Sequence, residues 1–386
     1  MAAQLILPIG GRGTRTYSLR PDPPSALTNA APPQSRKVFA AAHVVADPLS
    51  TEPWLTVDWD ATLAFRHHLW DLGFGVADAM DTAQRGMGLP PAAVAELIRR
   101  SLAAAADRGA AIACGAATDA LATGGISLRQ ITDAYLAQCE LIEGGGGQVV
   151  LMASRQLAVA AAGPGDYHDV YSHVLQRLHR PAILHWLGPA FDPALAGYWG
   201  SATVKGATDS LVRIIEDNAE KVDGVKISLL DVDAELALRR RLPPGVRLYT
   251  GDDFHYPELI RGDEHGHSDA LLGIFDAIAP VAAAAFAALD SGDGERFDAL
   301  LAPTVTLSRT LFEAPTYHYK TGIVFLAYLT GRQRHFRMIA GQESARSILH
   351  LAEVFRLADE AGLLVDQDLA VARMRPVLTL AGIDQP

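Results

Sequence analysis

From Lys37 onward, short runs rich in β-branched and aromatic residues alternate with longer stretches of helical periodicity, and this rhythm restricts the chain more than any other feature. It is the pattern of parallel strands joined by crossover helices, since a parallel connection needs a dozen or more residues to return. Eight strands are expected, over residues 38–45, 73–80, 110–115, 148–153, 181–187, 224–229, 246–250 and 270–275. Helices fit between them. The stretch 90–108 opens on Pro-Pro and carries Val94, Leu97, Ile98 and Leu102 at helical spacing. A second, 127–143, carries Ile131, Tyr135 and Leu136 and stops at a glycine run, and a third, 209–221, aligns Leu211, Ile214 and Ile215. Eight such units fit a (β/α)₈ TIM barrel, for which about 250 residues are typical. An open doubly wound sheet is the competing layout. The expected organisation is an N-terminal arm over 1–37, the barrel over 38–295 and a small C-terminal helical domain over 296–386.

Composition narrows the class of partner. The chain has 386 residues, 49% hydrophobic and 20% charged, enough for a sizeable core. Its net charge of -11 argues against nucleic acid or an anionic membrane, which demand a basic surface. Two cysteines, Cys114 and Cys139, exclude a disulfide framework or a thiolate metal cage. The first residues lack the basic and apolar regions of a signal peptide, and the apolar run near 277–289 is broken by Pro280. A cytoplasmic protein acting on a small molecule is the expectation.

The sixth strand carries the chemistry. In Gly224-Val225-Lys226-Ile227-Ser228-Leu229, alternation puts the apolar residues on one face and Gly224, Lys226 and Ser228 on the other. In a barrel the apolar face meets the helices, so Lys226 points inward. A lysine near the mouth loses hydration, which lowers its pKa, and a neutral amine can attack a carbonyl. A lysine snorkelling to the rim, or paired with Asp252 or Asp253, is the bland alternative. Strand seven runs into Thr250-Gly251-Asp252-Asp253, where barrel active sites are built. Strand five carries His185, either a proton shuttle or a buried histidine bonded to backbone. Asp78, Asp81 and Thr82 follow strand two, as substrate-binding groups or as a capped loop.

Taken in order, Asp223-Gly224-Val225-Lys226, the Gly251-Asp252-Asp253 turn, Pro181-Ala182-Ile183-Leu184-His185 and Ala111-Ile112-Ala113-Cys114-Gly115 resemble the dihydrodipicolinate synthase / N-acetylneuraminate lyase family over roughly 37–335. The resemblance implies Lys226 as the Schiff-base lysine and a homodimer or homotetramer without an organic cofactor. It also shows departures. His185-Trp186 stands where the family has Tyr-Asn, and Asp81-Thr82-Ala83-Gln84-Arg85 replaces a Gly-Thr-Thr-Gly-Glu turn. Only Thr82 of the carboxylate-binding threonine pair remains, with Arg85 as a different candidate anchor. A divergent branch acting on another carbonyl compound is expected, rather than dihydrodipicolinate synthesis.

The functional expectation is therefore a Schiff-base lyase or aldolase. Lys226 and His185 are the catalytic candidates, and Asp81, Thr82, Ser228, Asp252 and Asp253 would bind a 2-oxo acid or keto-sugar derivative. Two other readings stand beside it. His265, His267 and Asp269 have ligand types for a metal-dependent sugar isomerase or epimerase. A non-catalytic sugar-binding barrel is the third. His67-His68 does not make a metal pair, because adjacent helical residues diverge. The string Gly10-Gly11-Arg12-Gly13-Thr14-Arg15 resembles a nucleotidyltransferase loop, but the proline-rich residues after it supply no helix to hold a phosphate.

Overall fold

The computed structural model describes residues 4–21, 30–52, 56–122 and 124–385; Pro23 and Pro24 of the expected arm lie outside these. The chain divides into two compact units, one made of 36–42 and 74–273, the other of 1–35, 43–73 and 274–386.

The first unit contains a closed barrel of eight strands. In chain order these are Val38–Ala41, Gly75–Asp78, Ile112–Ala116, Gln148–Leu151, Ala182–Leu187, Val222–Ser228, Arg247–Thr250 and Asp269–Leu272. Each pairs in parallel with its neighbours, and the eighth closes on the first through Ala270–Val38. Helices alternate with the strands along the chain, and this is a (β/α)₈ barrel with further helices at the C-terminal end of the sequence. The expected helix 90–108 is Pro91–Arg108, ended by Gly109 at φ 65°. The helix Leu128–Gly144 starts with a reciprocal Ser127–Gln130 capping box. The third helix lies earlier than expected, at Val204–Asp217, because Thr203 caps it by accepting from the Gly206 N–H.

Inside the barrel, Phe39, Ala77, Ala113, Val150, Ile183, Tyr249 and Leu271 form one packed cluster drawn from seven strands. The sixth strand adds no apolar residue to it. There Gly224 leaves room for the Tyr249 ring, whose edge sits 2.7 Å from where a Cβ would be. The end of the barrel where the strands begin is closed by polar contacts: Lys37 Nζ reaches Asp223 at 3.3 Å and Gln148 at 3.2 Å, and the Tyr249 hydroxyl donates to Asp223. The apolar plug and this polar floor leave the opposite end of the barrel open for a candidate site.

In the second unit, the expected N-terminal arm is a hairpin, Gln4–Ile9 with Gly13–Ser18, turning through Gly11 at φ 77°. Asp359 fixes it by accepting from the Tyr17 hydroxyl at 2.7 Å and the Arg20 N–H at 3.0 Å. The helices Trp59–Asp71, Ile274–Asp290, Gly294–Leu311, Tyr319–Leu329, Ile348–Glu360 and Gln367–Leu380 complete this unit. Buried within it, His43 sits between Asp276 (Nδ1 to Oδ2, 2.8 Å) and Gln333 (Nε2 to Oε1, 3.1 Å). No helix among the described residues is long and apolar enough to cross a membrane.

Candidate active site

Lys226 lies on the sixth strand in register with His185 on the fifth and Tyr249 on the seventh. Tyr249 belongs to the barrel interior, and a Cβ on Gly251 would come within 2.9 Å of Lys226 Cε and 2.2 Å of Ser228 Oγ. Gly251 is thus required by crowding: any side chain there would displace the lysine. Lys226 is 7% exposed, and burial pulls its pKa down, opposed by the through-space charges of Asp81 and Asp253. The outcome is an amine below its ordinary range with two carboxylates near enough to steady its protonated form.

His185 is wholly buried, and its Nε2 lies 3.4 Å from Ser228 Oγ. Burial, and then the charge of Lys226, push its pKa well below the ordinary value, so the ring is neutral at neutrality. Its Nδ1 is buried without a hydrogen-bond partner. A buried, unpartnered ring nitrogen beside a desolvated lysine is costly to maintain and is characteristic of groups held ready for proton transfer.

Asp81 sits in the 3₁₀ turn Asp81–Ala83 that follows strand two, with Thr82 buried in the same turn. The turn is flanked by Ala79 at φ 50° and Gln84 at φ 59°, and Leu230 after strand six has φ 57°. Left-handed backbone at non-glycine residues costs energy and is retained where surrounding contacts hold a loop in place. All three lie at strand exits, the end of the barrel that holds Lys226.

The polar candidates divide. Lys226, His185, Ser228, Asp81 and Asp253 converge. Asp252 does not join them: its Oδ1 accepts from the Phe254 and His255 N–H groups and its Oδ2 meets His255 Nδ1 at 3.1 Å, so it builds the turn. Arg85 is not an open anchor either. Asp119 takes Nε and Nη2 at 2.9 and 2.8 Å, Gln138 shares Nη2, and the carbonyls of Gly115 and Ala79 occupy Nη1. A guanidinium this fully engaged has no donor left for substrate. Arg85→Lys is expected to destabilise the fold by about 2–3 kcal/mol, because a point ammonium cannot satisfy this fork; urea unfolding measures it, and a change under 0.5 kcal/mol would show that the network is dispensable.

His265 and His267 lie in the loop before strand eight, at the end of the barrel away from Lys226, where Asp269 takes Arg247 at 2.9 Å and the Lys37 N–H at 2.7 Å. Among the described residues no group of three or more His, Cys, Asp or Glu is arranged to hold a metal ion. Cys114 and Cys139 are buried and neither forms a disulfide, and burial raises the Cys139 thiol to about 12.

Beside Asp81 opens a cavity of about 150 Å³, lined also by Thr118, Arg155, Gln156 and Asp192. Arg155 is the half-exposed cation there, with Nε 2.5 Å from Asp192 and Nη1 lying 3.3 Å from where a Gly86 Cβ would stand. Thr118 bonds Ser154 at 2.6 Å and Gln156 at 2.7 Å. Pattern reading did not single out these residues, although Thr118-Asp119 and Ser154-Arg155-Gln156 follow strands three and four directly. Polar residues at that position in a barrel were the available signal.

A family model described as "Protein of unknown function (DUF993)" matches residues 5–383. The chain belongs to this family. No curated protein matches the DUF993 chain. Among solved structures, it is similar to a prophage protein of the dihydrodipicolinic acid synthase family from E. coli K12, determined in complex with pyruvate, at 13% identity and TM-score 0.66 over 85% of this chain and 99% of the other. Dihydrodipicolinate synthase from Aquifex aeolicus aligns at 13% identity and TM-score 0.65, over 86% and 99%. That from Thermotoga maritima aligns at 14% identity and TM-score 0.64, over 86% and 100%. At this identity the likeness establishes that the DUF993 chain has the dihydrodipicolinate synthase fold, and a fold of this kind carries many chemistries.

Proposed function

We propose that this DUF993 protein is a Schiff-base-forming lyase or aldolase acting on a small carbonyl compound, a 2-oxo acid or a keto-sugar derivative. The observation that carries the proposal is Lys226 itself: buried in the barrel, lowered in pKa by desolvation, and in register with a neutral His185. A solved structure of the same fold holds pyruvate, a 2-oxo acid, and this supports the substrate class.

In the proposed reaction, Lys226 Nζ attacks the substrate carbonyl carbon and a C–N bond forms as the carbonyl oxygen takes a proton. Loss of water leaves an iminium, which draws electrons from the adjacent carbon and so permits C–C cleavage, addition or dehydration. His185, with Ser228 Oγ at 3.4 Å, moves the proton on the carbinolamine. Asp81 and Asp253 stabilise the cationic iminium as they do the ammonium. Arg155, on the cavity wall, takes the anionic end of the substrate in place of the occupied Arg85. The assembly proposed with this reading is a homodimer or homotetramer.

Borohydride reduction in the presence of 2-oxo acids and keto-sugars tests the proposal. The expected result is a stable adduct, located by peptide mass analysis at Lys226. A panel that leaves Lys226 unmodified while another lysine is labelled, or none, would remove the basis for the mechanism.

A further inference from the structure

The second unit contains a cavity of about 390 Å³, within the range of small-molecule sites. Its origin is local. The helix Ile274–Asp290 contains Pro280, which lacks the N–H that would bond the carbonyl four residues back, and Ile278 leaves helical geometry at φ -109° and ψ 15°. The face around this kink presents Ala277, Pro280, Val281 and Ala284, at the i, i+3, i+4 and i+7 positions. Three of the four are small or imino residues, so the space against Phe65, Leu300 and Leu363 is not filled. Close-packed interiors rarely leave a void much larger than a water molecule.

The charges around this space are unequal. Two acids line it, and both are engaged: Asp276 holds His43 through its ring and its N–H, and Asp366 caps the helix Gln367–Leu380 by accepting from the Leu369 N–H at 2.9 Å. Arg296 and Arg332 also line it, and neither side chain has a hydrogen-bond or ion-pair partner among the described residues. Burial, and then the charge of Arg332, hold the His68 pKa near 4 and keep that ring neutral. His68 packs edge-on against Phe65, completing an apolar wall with one uncharged hydrogen-bonding group.

We infer that this cavity is a binding site, separate from the barrel, for a small amphipathic carboxylate whose apolar body lies against the Ala277–Ala284 face and whose anion is held by Arg332 and Arg296. Two guanidinium groups without partners at the edge of an apolar space are matched by a carboxylate on a short hydrocarbon or aryl group. Both arginines are exposed at the rim, so a cation would meet repulsion and an alcohol would gain no ion pair with either. The inference is independent of the Schiff-base reading, because it uses no residue of the barrel.

Titration calorimetry on the full chain with octanoate, octanol and octylamine tests it. Octanoate is expected to bind saturably, octanol at least about tenfold more weakly, and octylamine not at all. The doubly substituted Arg296→Ala, Arg332→Ala protein is expected to lose at least about tenfold in octanoate affinity while its unfolding midpoint stays unchanged, since neither arginine holds the fold. Ala284→Phe, which fills the space, is expected to abolish binding of octanoate. Absence of saturable octanoate binding, equal affinity for octanol, or full retention by the double variant overturns the inference. So does an isotherm that shifts with protein concentration, which would place a second copy of the chain on the cavity.

Discussion

Lys226→Met is expected to abolish the borohydride-trapped adduct and to lower turnover of any substrate so identified by a factor on the order of 10³–10⁶. It is expected at the same time to make the protein more stable. The two effects share one cause. Lys226 is buried to 7% exposure, and its ammonium is offset there by the charges of Asp81 and Asp253. Methionine keeps the length and apolar stem without the buried charge, a replacement worth about 1–4 kcal/mol when a buried ionic group gives way to a packed hydrophobe. The pH dependence carries its own sign. With the folded pKa below the ordinary 10.5, the unfolded chain holds a proton that the folded chain lacks throughout the interval between them. Wild-type stability therefore gains from this group as pH rises through that interval. The advantage of the variant is largest below the folded pKa and disappears toward pH 10.5. Urea unfolding of both proteins across this range measures the difference. Retained turnover in the variant would end the nucleophile assignment, and a variant less stable at neutrality would show that Lys226 is a structural cation.

The parts of this architecture visible in the sequence are those governed by periodicity. Eight strands stand where the alternation of short apolar runs and helices puts them, and their edges move by a few residues for identifiable reasons. The second strand is Gly75–Asp78 rather than 73–80, because Gly73 at φ 81° and Ala79 at φ 50° leave extended geometry on either side. The first stops at Ala41 rather than residue 45, since the His43 N–H bonds the Asp276 carboxylate and the Val45 N–H the Thr62 hydroxyl. The eighth ends at Leu272 because the helix beginning at Ile274 continues the same apolar run, and hydrophobicity alone does not mark that junction. Side-chain direction was legible where strand alternation determines it, as for the candidate residues Lys226, His185 and Ser228. It was not legible where side chains select among partners. Arg85 and Asp119 are 34 residues apart, and no local pattern tells that they form a bidentate pair. Asp252 and Asp253 are adjacent with the same chemistry; one bonds back to its own turn while the other acts on Lys226.

Glu235 was invisible to motif reading and underlies the second large effect. It sits on the helix Val232–Arg239, almost wholly buried, hydrogen-bonded to the Ser268 hydroxyl at 2.7 Å and the Thr250 hydroxyl at 3.0 Å. Burial, aided by the charge of Asp252, raises its pKa from 4.5 to about 8, so at neutrality it is a carboxylic acid. Between pH 4.5 and about 8 the folded chain holds a proton that the unfolded chain has released, and stability falls by about 1.4 kcal/mol for each pH unit. The loss attributable to Glu235 across the window is on the order of 5 kcal/mol. Glu235→Gln is expected to remove it, because a primary amide can accept from one hydroxyl through its oxygen and donate an N–H to the other, and cannot ionise. Wild type and variant should match near pH 4.5 and diverge steadily, with the variant the more stable by several kcal/mol at pH 8. The consequence reaches the site. Thr250 Oγ1 also accepts from the Asp252 N–H at 3.2 Å, so Glu235 supports the turn that carries Asp253 toward Lys226. An ionised Glu235 beside Asp252 loads that turn with repulsion, and activity assayed on a trapped substrate should decline above pH 8 in wild type but less in the variant. Parallel stability curves for the two proteins between pH 5 and 8 would mean that Glu235 is ionised in the fold, and that the turn is held by Asp252 alone.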